Sequence, residues 1–238
     1  MNRHVTAGVL LAGLGLVWGG GARADETAGW YFGLSGGLTG ADISKNDFDS
    51  DFADIFSAAA LQVTGSLPDA IFVDSELDDS DKGWGLHIGY RFTRYVAAEV
   101  GYLDLGEFLY ANQVQMDVLS APLIFNSDVR FQVSGPFASV LGMFPINERF
   151  DVHVRGGILF SDTRMRVRFV AVEPDLPETF FSGEVRDSEK DFFAGIGATW
   201  NINPSYSLRV EYQRFLDVGG DNVGETDVDL ISASLLFR

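Results

Sequence analysis

The chain has 238 residues, and its 17 lysines and arginines are outnumbered by 34 aspartates and glutamates, which gives a formal net charge of −17. Because phosphate binding needs a basic surface, nucleic acid is not an expected partner. Cysteine is absent, which excludes disulfides, thiolate metal sites and cysteine nucleophiles. The hydrophobic share of 46% is that of an ordinary folded chain.

The first 24 residues have the pattern of a secretory signal peptide. A short basic start precedes an apolar run from Val5 to Trp18, and the segment closes on Ala22-Arg23-Ala24. That run is shorter than the roughly 20 residues that a transmembrane helix needs. We therefore predict that residues 1–24 are removed on export and that residues 25–238 form one domain.

The segment 83–92 alternates strictly with a period of two, which predicts a β-strand. One face carries Trp84, Leu86, Ile88, Tyr90 and Phe92, and the other carries Gly83, Gly85, His87, Gly89 and Arg91. An apolar face backed by glycine and charge suits a strand with lipid on one side and a polar barrel interior on the other.

The same alternation recurs along the chain and predicts eight strands. They lie at 30–40, 83–92, 96–102, within 129–144, and at 152–160, 192–200, 206–213 and 231–237. The face of the fourth strand is ambiguous around Gly135-Pro136, where a β-bulge would fit.

Short and long connections alternate between these strands. The short ones are 93–95, 145–149 and 201–205, and the long ones are 41–82, 104–128, 161–190 and 216–228. Short turns at one end and long outer loops at the other are typical of an outer-membrane barrel. The alternative is a soluble ligand-binding barrel of lipocalin type, in which the apolar faces would point inward.

The order of these segments resembles the eight-stranded OmpA-like outer-membrane β-barrel family. The resemblance rests on GWYFGLSGG, GWGLHIGYRF, VAAEVGYLDLG, FPINERFDVHVRGG and DFFAGIGATWNINPSYSLRVEYQRF. It implies an all-β, antiparallel up-and-down transmembrane barrel in a Gram-negative outer membrane. The implied partners are outer-membrane lipid and lipopolysaccharide, the barrel assembly machinery and periplasmic chaperones. Larger family members carry a peptidoglycan-binding domain after the barrel, and none is expected here.

Ionisable side chains collect at the inward positions of the predicted strands. They are His87, Arg91, Glu99, His153, Arg155, Arg209 and Glu211. An eight-stranded barrel is narrow enough for side chains to fill it, and buried charges need partners. We expect an ion-pair network that plugs the interior. The alternative is a small gated pore in which Glu99 and Arg209 open and close, a role that the resemblance implies for the matching positions.

No enzymatic activity and no cofactor are expected. A lipid A deacylase of the eight-stranded type would place a serine two residues from its histidine on a strand. Here Gly89 follows His87 at that spacing, and Arg155 follows His153.

The first long connection is strongly acidic. Its aspartate clusters are Asp47, Asp49, Asp51, Asp78, Asp79 and Asp81. These are weak candidates for Ca²⁺ or Mg²⁺, since Phe52 and Ala58 stand where an EF-hand loop needs Gly and Glu. The alternative is a solvated, self-repelling loop that aids solubility. The outer loops are also where an unknown surface ligand would bind.

Three arginines alternate in the third long connection. Arg164, Arg166 and Arg168 are interleaved with apolar residues, as in a strand that runs past the membrane. Lipopolysaccharide phosphates would suit this basic row, and pairing with Asp162 or Glu184 is the alternative.

Overall fold

The computed structural model describes residues 28–41, 53–54, 57–58, 61–62, 71–78, 80–118, 121–172, 179–220 and 224–238. The predicted signal peptide lies outside the described residues, as do Asp47, Asp49, Asp51 and Asp79. Among the described residues, no helix is long and apolar enough to cross a membrane.

The described residues form nine strands, and eight of them close an antiparallel ring. The strands are β1 (Gly29–Ala41), β2 (Ile71–Asp78), β3 (Ser80–Arg91), β4 (Val96–Val118), β5 (Ala121–Pro145), β6 (Phe150–Val172), β7 (Thr179–Asn201), β8 (Tyr206–Gly220) and β9 (Gly224–Phe237). The order around the ring is β1-β3-β4-β5-β6-β7-β8-β9, and β9 pairs back onto β1. The additional strand β2 continues the line of β3, because both pair with β4. The predicted eight-stranded antiparallel barrel is confirmed.

The two faces of the barrel wall follow the predicted alternation. Ile88, Val154 and Val210 are 45%, 49% and 52% exposed on the exterior. Arg91 and Arg209 are 8% and 3% exposed in the interior. This orientation is the reverse of the soluble lipocalin-type alternative, in which the apolar side chains would meet in a dry centre.

The apolar belt on the exterior has the height of a bilayer core. Along β6 its outward residues run from Phe150 to Phe160. At about 3.3 Å per residue and a tilt of about 40°, this stretch rises about 25 Å along the barrel axis. Aromatic side chains are exposed at the short-turn end of the belt: Trp30, Tyr95, Phe150, Trp200 and Tyr206. They form the interfacial girdle expected of a membrane barrel.

A β-bulge in β4 changes which of its alternate residues point into the barrel. Its register with β5 shifts between Asp104 and Gly106. Gly106 has a φ of +90°, and its N–H donates to the Asp104 Oδ1 at 2.9 Å. Leu105, the unpaired residue of the bulge, and Phe108 after it are both buried in the interior.

The prediction of a β-bulge at Gly135-Pro136 was wrong. Burial alternates without a break across this segment of β5. The offset between β5 and β6 is the same at the Ser134 pair and at the Phe137 pair. The irregularity lies on the neighbouring strand instead, where glycine accepts the positive φ.

Most of the segments predicted as outer loops are strand. β4 and β5 extend through 104–118 and 121–128, and β6 and β7 extend through 161–172 and 179–190. Outside the apolar belt both faces of a sheet can be polar, so the hydrophobic alternation fades while the backbone ladder continues. The prediction therefore ended these strands too early.

Candidate functional site

Glu99 lies at the centre of a polar layer in the barrel interior. Its carboxylate, 1% exposed, forms an ion pair with Arg155 through Oε2. On the other side, Arg209 Nη1 lies 2.7 Å from Oε1 and the Tyr31 hydroxyl donates to the same oxygen at 2.6 Å. The Nε2 of His87 lies 3.7 Å from Oε1. Four strands thus converge on one buried carboxylate.

A second carboxylate extends the polar layer. The Arg155 Nε lies 3.0 Å from the Glu211 Oε1, a close ion pair without hydrogen-bond alignment. The Nε2 of His153 lies 3.6 Å from the same oxygen. Arg155 therefore bridges Glu99 and Glu211, and the two arginines of the layer balance its two carboxylates. Buried charges without such partners would cost several kcal/mol each.

The seventh predicted residue, Arg91, lies apart from this layer, at the mouth of the barrel beside the short turns. Its Nη2 donates to the backbone carbonyl of Arg94 at 2.9 Å and lies 3.5 Å from the Asp151 Oδ2. Asn201 donates to the same carboxylate oxygen at 3.2 Å. The structure thus separates the seven predicted interior residues into a central layer of six and a mouth residue.

Two glycines make room for the histidines of the polar layer. A Cβ at Gly33 would collide with the imidazole of His87. A Cβ at Gly197 would lie 2.6 Å from an imidazole carbon of His153. The glycine-and-charge face seen in the sequence is therefore a packing arrangement, in which a missing side chain on one strand accommodates a ring from the next.

An apolar layer fills the interior on the outer side of the Glu99 layer. Its members are Ala41, Leu103, Leu105, Phe108, Val133, Phe137, Leu159, Phe193, Phe215, Val218, Val228 and Leu230. The Phe193 ring is stacked 4.9 Å from the Phe215 ring and meets the Phe137 ring edge-on at 6.0 Å. Such aromatic pairs add to the stabilisation from burial.

Sequence reasoning missed three components of the interior. Tyr31 is at an inward position of β1, so its inward orientation could have been predicted from alternation, whereas its contact with Glu99 could not. Asp151 shares the parity of His153 but lies one residue before the predicted strand. The apolar layer was missed because most of its members lie beyond the ends of the predicted strands.

The metal candidates in the first connection are placed only in part. Asp81 is described, and its Oδ2 accepts a hydrogen bond from the backbone N–H of Glu107 at 2.7 Å. The side chain of Asp78 is not among those described. Within the described part of the chain, no group of three or more His, Asp or Glu side chains could hold a metal ion.

Comparisons with known proteins place the chain among outer-membrane barrels. The model of the OmpA-like transmembrane domain matches residues 26–238. Outer membrane protein A of Escherichia fergusonii is 27% identical over 176 residues, which cover 71% of this chain and 44% of that protein. The chain therefore spans less than half the length of this curated relative.

Two solved structures are similar in architecture. Neisserial surface protein A is 13% identical, with a TM-score of 0.44 over 90% of this chain and 99% of that one. OprG from Pseudomonas aeruginosa is 15% identical, with a TM-score of 0.40 over 89% of this chain and 97% of that one.

Proposed function

We propose that this chain, which belongs to the OmpA-like transmembrane domain family, is a structural barrel. Its interior is closed, and its role is at the cell surface. The family places the protein in the cell outer membrane. The proposed role is to hold a rigid strand ring in the membrane while its outer strands present a surface to the outside.

The observation that supports a closed interior is the succession of two filled layers along one axis. The Glu99 layer has its charges paired across the barrel, and the apolar layer beyond it is built around Phe137, Phe193 and Phe215. An ion that crossed would first have to break buried pairs. It would then meet the rings of Phe137, Phe193 and Phe215, which offer it no ligand in place of water.

A small gated pore is the second candidate, and the position of Arg155 favours it. This guanidinium contacts both Glu99 and Glu211, so a shift toward Glu211 would leave Glu99 with Arg209 alone. Such an exchange of partners between two carboxylates would be the switching step of a gate at the Glu99–Arg209 pair.

Conductance across a planar bilayer distinguishes these functions. We expect no conductance steps from the native barrel or from Glu99→Ala, because the apolar layer remains in place. Conductance that rises in Glu99→Ala would establish the gated pore. Only protein that migrates as the folded, heat-modifiable form is to be tested. If Glu99→Ala fails to fold, the conductance of Glu99→Asp is measured instead, because this variant keeps the charge on a shorter side chain.

A further inference from the structure

Five arginines lie on the exterior face of the sheet beyond the apolar belt. This group, called the arginine face, consists of Arg130, Arg164, Arg166, Arg168 and Arg186. It comes from the outer halves of three adjacent strands, β5, β6 and β7. In a chain with two acidic side chains for every basic one, such a concentration of guanidinium groups stands out.

The strand register places arginines directly opposite one another. Arg130 on β5 is the cross-strand partner of Arg166 on β6. Arg164 on β6 is the partner of Arg186 on β7. Like charges at directly opposite positions destabilise a sheet. An anion bound between each pair would remove that repulsion.

Carboxylates of the protein offset this repulsion only in part. Arg164 lies 3.6 Å from Asp162 and Arg130 lies 3.6 Å from Glu107, both at partly exposed positions. Pairing with acidic neighbours, the alternative expected from the sequence, is therefore present. Ion pairs as exposed as these contribute little to stability.

One carboxylate serves two arginines. The Oε1 of Glu184 lies 2.6 Å from the Arg186 Nε, and its Oε2 lies 3.1 Å from the Arg166 Nε. These hydrogen bonds, first from Arg186 and then from Arg166, lower the pKa of Glu184 below its ordinary value. Because each guanidinium has five N–H donors, most donors on the arginine face remain available to a ligand.

The arginine face continues the lipid-facing surface upward. Arg164 and Arg166 have the same strand parity as Phe160, which is exposed at the upper edge of the apolar belt. At about 3.3 Å per residue and a tilt of about 40°, they lie about 10 Å and 15 Å above Phe160 along the axis. A cavity of about 550 Å³ opens there, lined by Arg130, Arg166 and Arg168 together with the carboxylates of Asp128 and Glu184.

We propose that the arginine face binds the phosphate groups of a phosphorylated glycolipid that stands in the outer leaflet beside the barrel. Guanidinium groups bind phosphate through two parallel hydrogen bonds, which paired arginines can provide from two strands. The shared strand parity with Phe160 favours a lipid over a free anion, since a molecule anchored in the belt below brings its head group to this height. Binding at the arginine face does not depend on whether the barrel interior conducts.

Binding of bisphosphorylated lipid A to the full chain in detergent micelles tests this proposal. Native mass spectrometry would count bound lipid for the unmodified protein, for Arg130→Gln with Arg166→Gln, and for Arg149→Gln. The last variant is the matched control, because Arg149 is an exposed arginine in a short turn at the opposite end. Dephosphorylated lipid A and inorganic phosphate are tested in parallel.

We expect the double variant to bind about 25-fold more weakly, at about fivefold for each arginine near a charged membrane surface. Arg149→Gln should bind as the unmodified protein does, and dephosphorylated lipid A should bind far more weakly. Unchanged binding by the folded double variant would overturn the proposal, as would equal binding of dephosphorylated lipid A. Competition by inorganic phosphate at concentrations equal to the lipid would overturn the lipid assignment.

Discussion

The interior of this barrel is filled in two different ways along one axis. Near the short turns, Glu99, Arg155 and Arg209 form a layer in which each charge depends on a partner from another strand. Farther out, Phe137, Phe193 and Phe215 pack without any polar contact among their rings. The charged layer is specific, since removal of Glu99 leaves the buried Arg209 without its ion-pair partner and Arg155 with Glu211 alone. The apolar layer is tolerant, since a lost side chain leaves only a cavity.

The largest effect is expected when the charged layer loses its centre. Glu99→Ala leaves Arg155 and Arg209 without their shared carboxylate, so the free energy of unfolding should fall by about 3–5 kcal/mol. Urea unfolding in micelles, followed by the heat-modifiable gel shift, measures this. Glu184 also contacts two arginines but on the exterior, so Glu184→Ala is the control and should unfold at the native urea concentration. Equal losses in the two variants would show that burial does not decide the energy.

Truncation in the apolar layer should cost somewhat less. Phe193→Ala removes a buried ring that contacts two others, and we expect a loss of about 3 kcal/mol from lost burial and the remaining cavity. Phe192→Ala on the same strand is the control, because that ring is 64% exposed on the exterior. In detergent its loss should be small, and a larger loss than for Phe193→Ala would contradict the assignment of the faces.

A smaller effect should follow from filling the space beside His87. Gly33→Ala places a methyl group against that imidazole, and overpacking of this kind costs about 2 kcal/mol. Gly36 on the same strand has open space at its Cβ position. Gly36→Ala should therefore leave the unfolding midpoint unchanged. A neutral Gly33→Ala would mean that His87 moves away at no cost.

The smallest effect should come from removing one hydrogen bond. Tyr31→Phe deletes the donor to Glu99 while both arginines stay in place, and the loss should be about 1.5 kcal/mol. Tyr206→Phe in the exterior girdle provides the comparison. A loss as large as that of Glu99→Ala would make the hydroxyl, and not the ion pairs, the basis of the layer.

The contrast between the layers also explains what could be predicted from the sequence. Alternation alone placed His87 and Arg209 on the inward face, because their strands lie within the lipid belt, where one face must be apolar. The pairing of Glu99 on β4 with Arg155 on β6 and Arg209 on β8 could not be predicted. It depends on the ring closing, which brings strands far apart in the sequence face to face.

The apolar layer and the outer strands were harder to predict for a different reason. Leu105 is the unpaired residue of a bulge and Phe108 follows it, so a strict period of two places only one of them inside. Beyond the belt, both faces of β7 are polar along Asp187–Lys190, and the hydrophobic pattern there no longer indicates a strand. On β6 the alternation continues, because Arg164, Arg166 and Arg168 are interleaved with apolar residues that pack inside.

The closed interior is tested most directly by thiol labelling beside Glu99. Ser139 is the cross-strand partner of Glu99 and is 5% exposed, and the chain has no cysteine of its own. In the folded barrel, Ser139→Cys should resist a charged thiol reagent and react only after heat unfolding, whereas Ser205→Cys in an exposed short turn should react at once. Labelling of folded Ser139→Cys at the rate of Ser205→Cys would show a water-filled lumen and contradict the account.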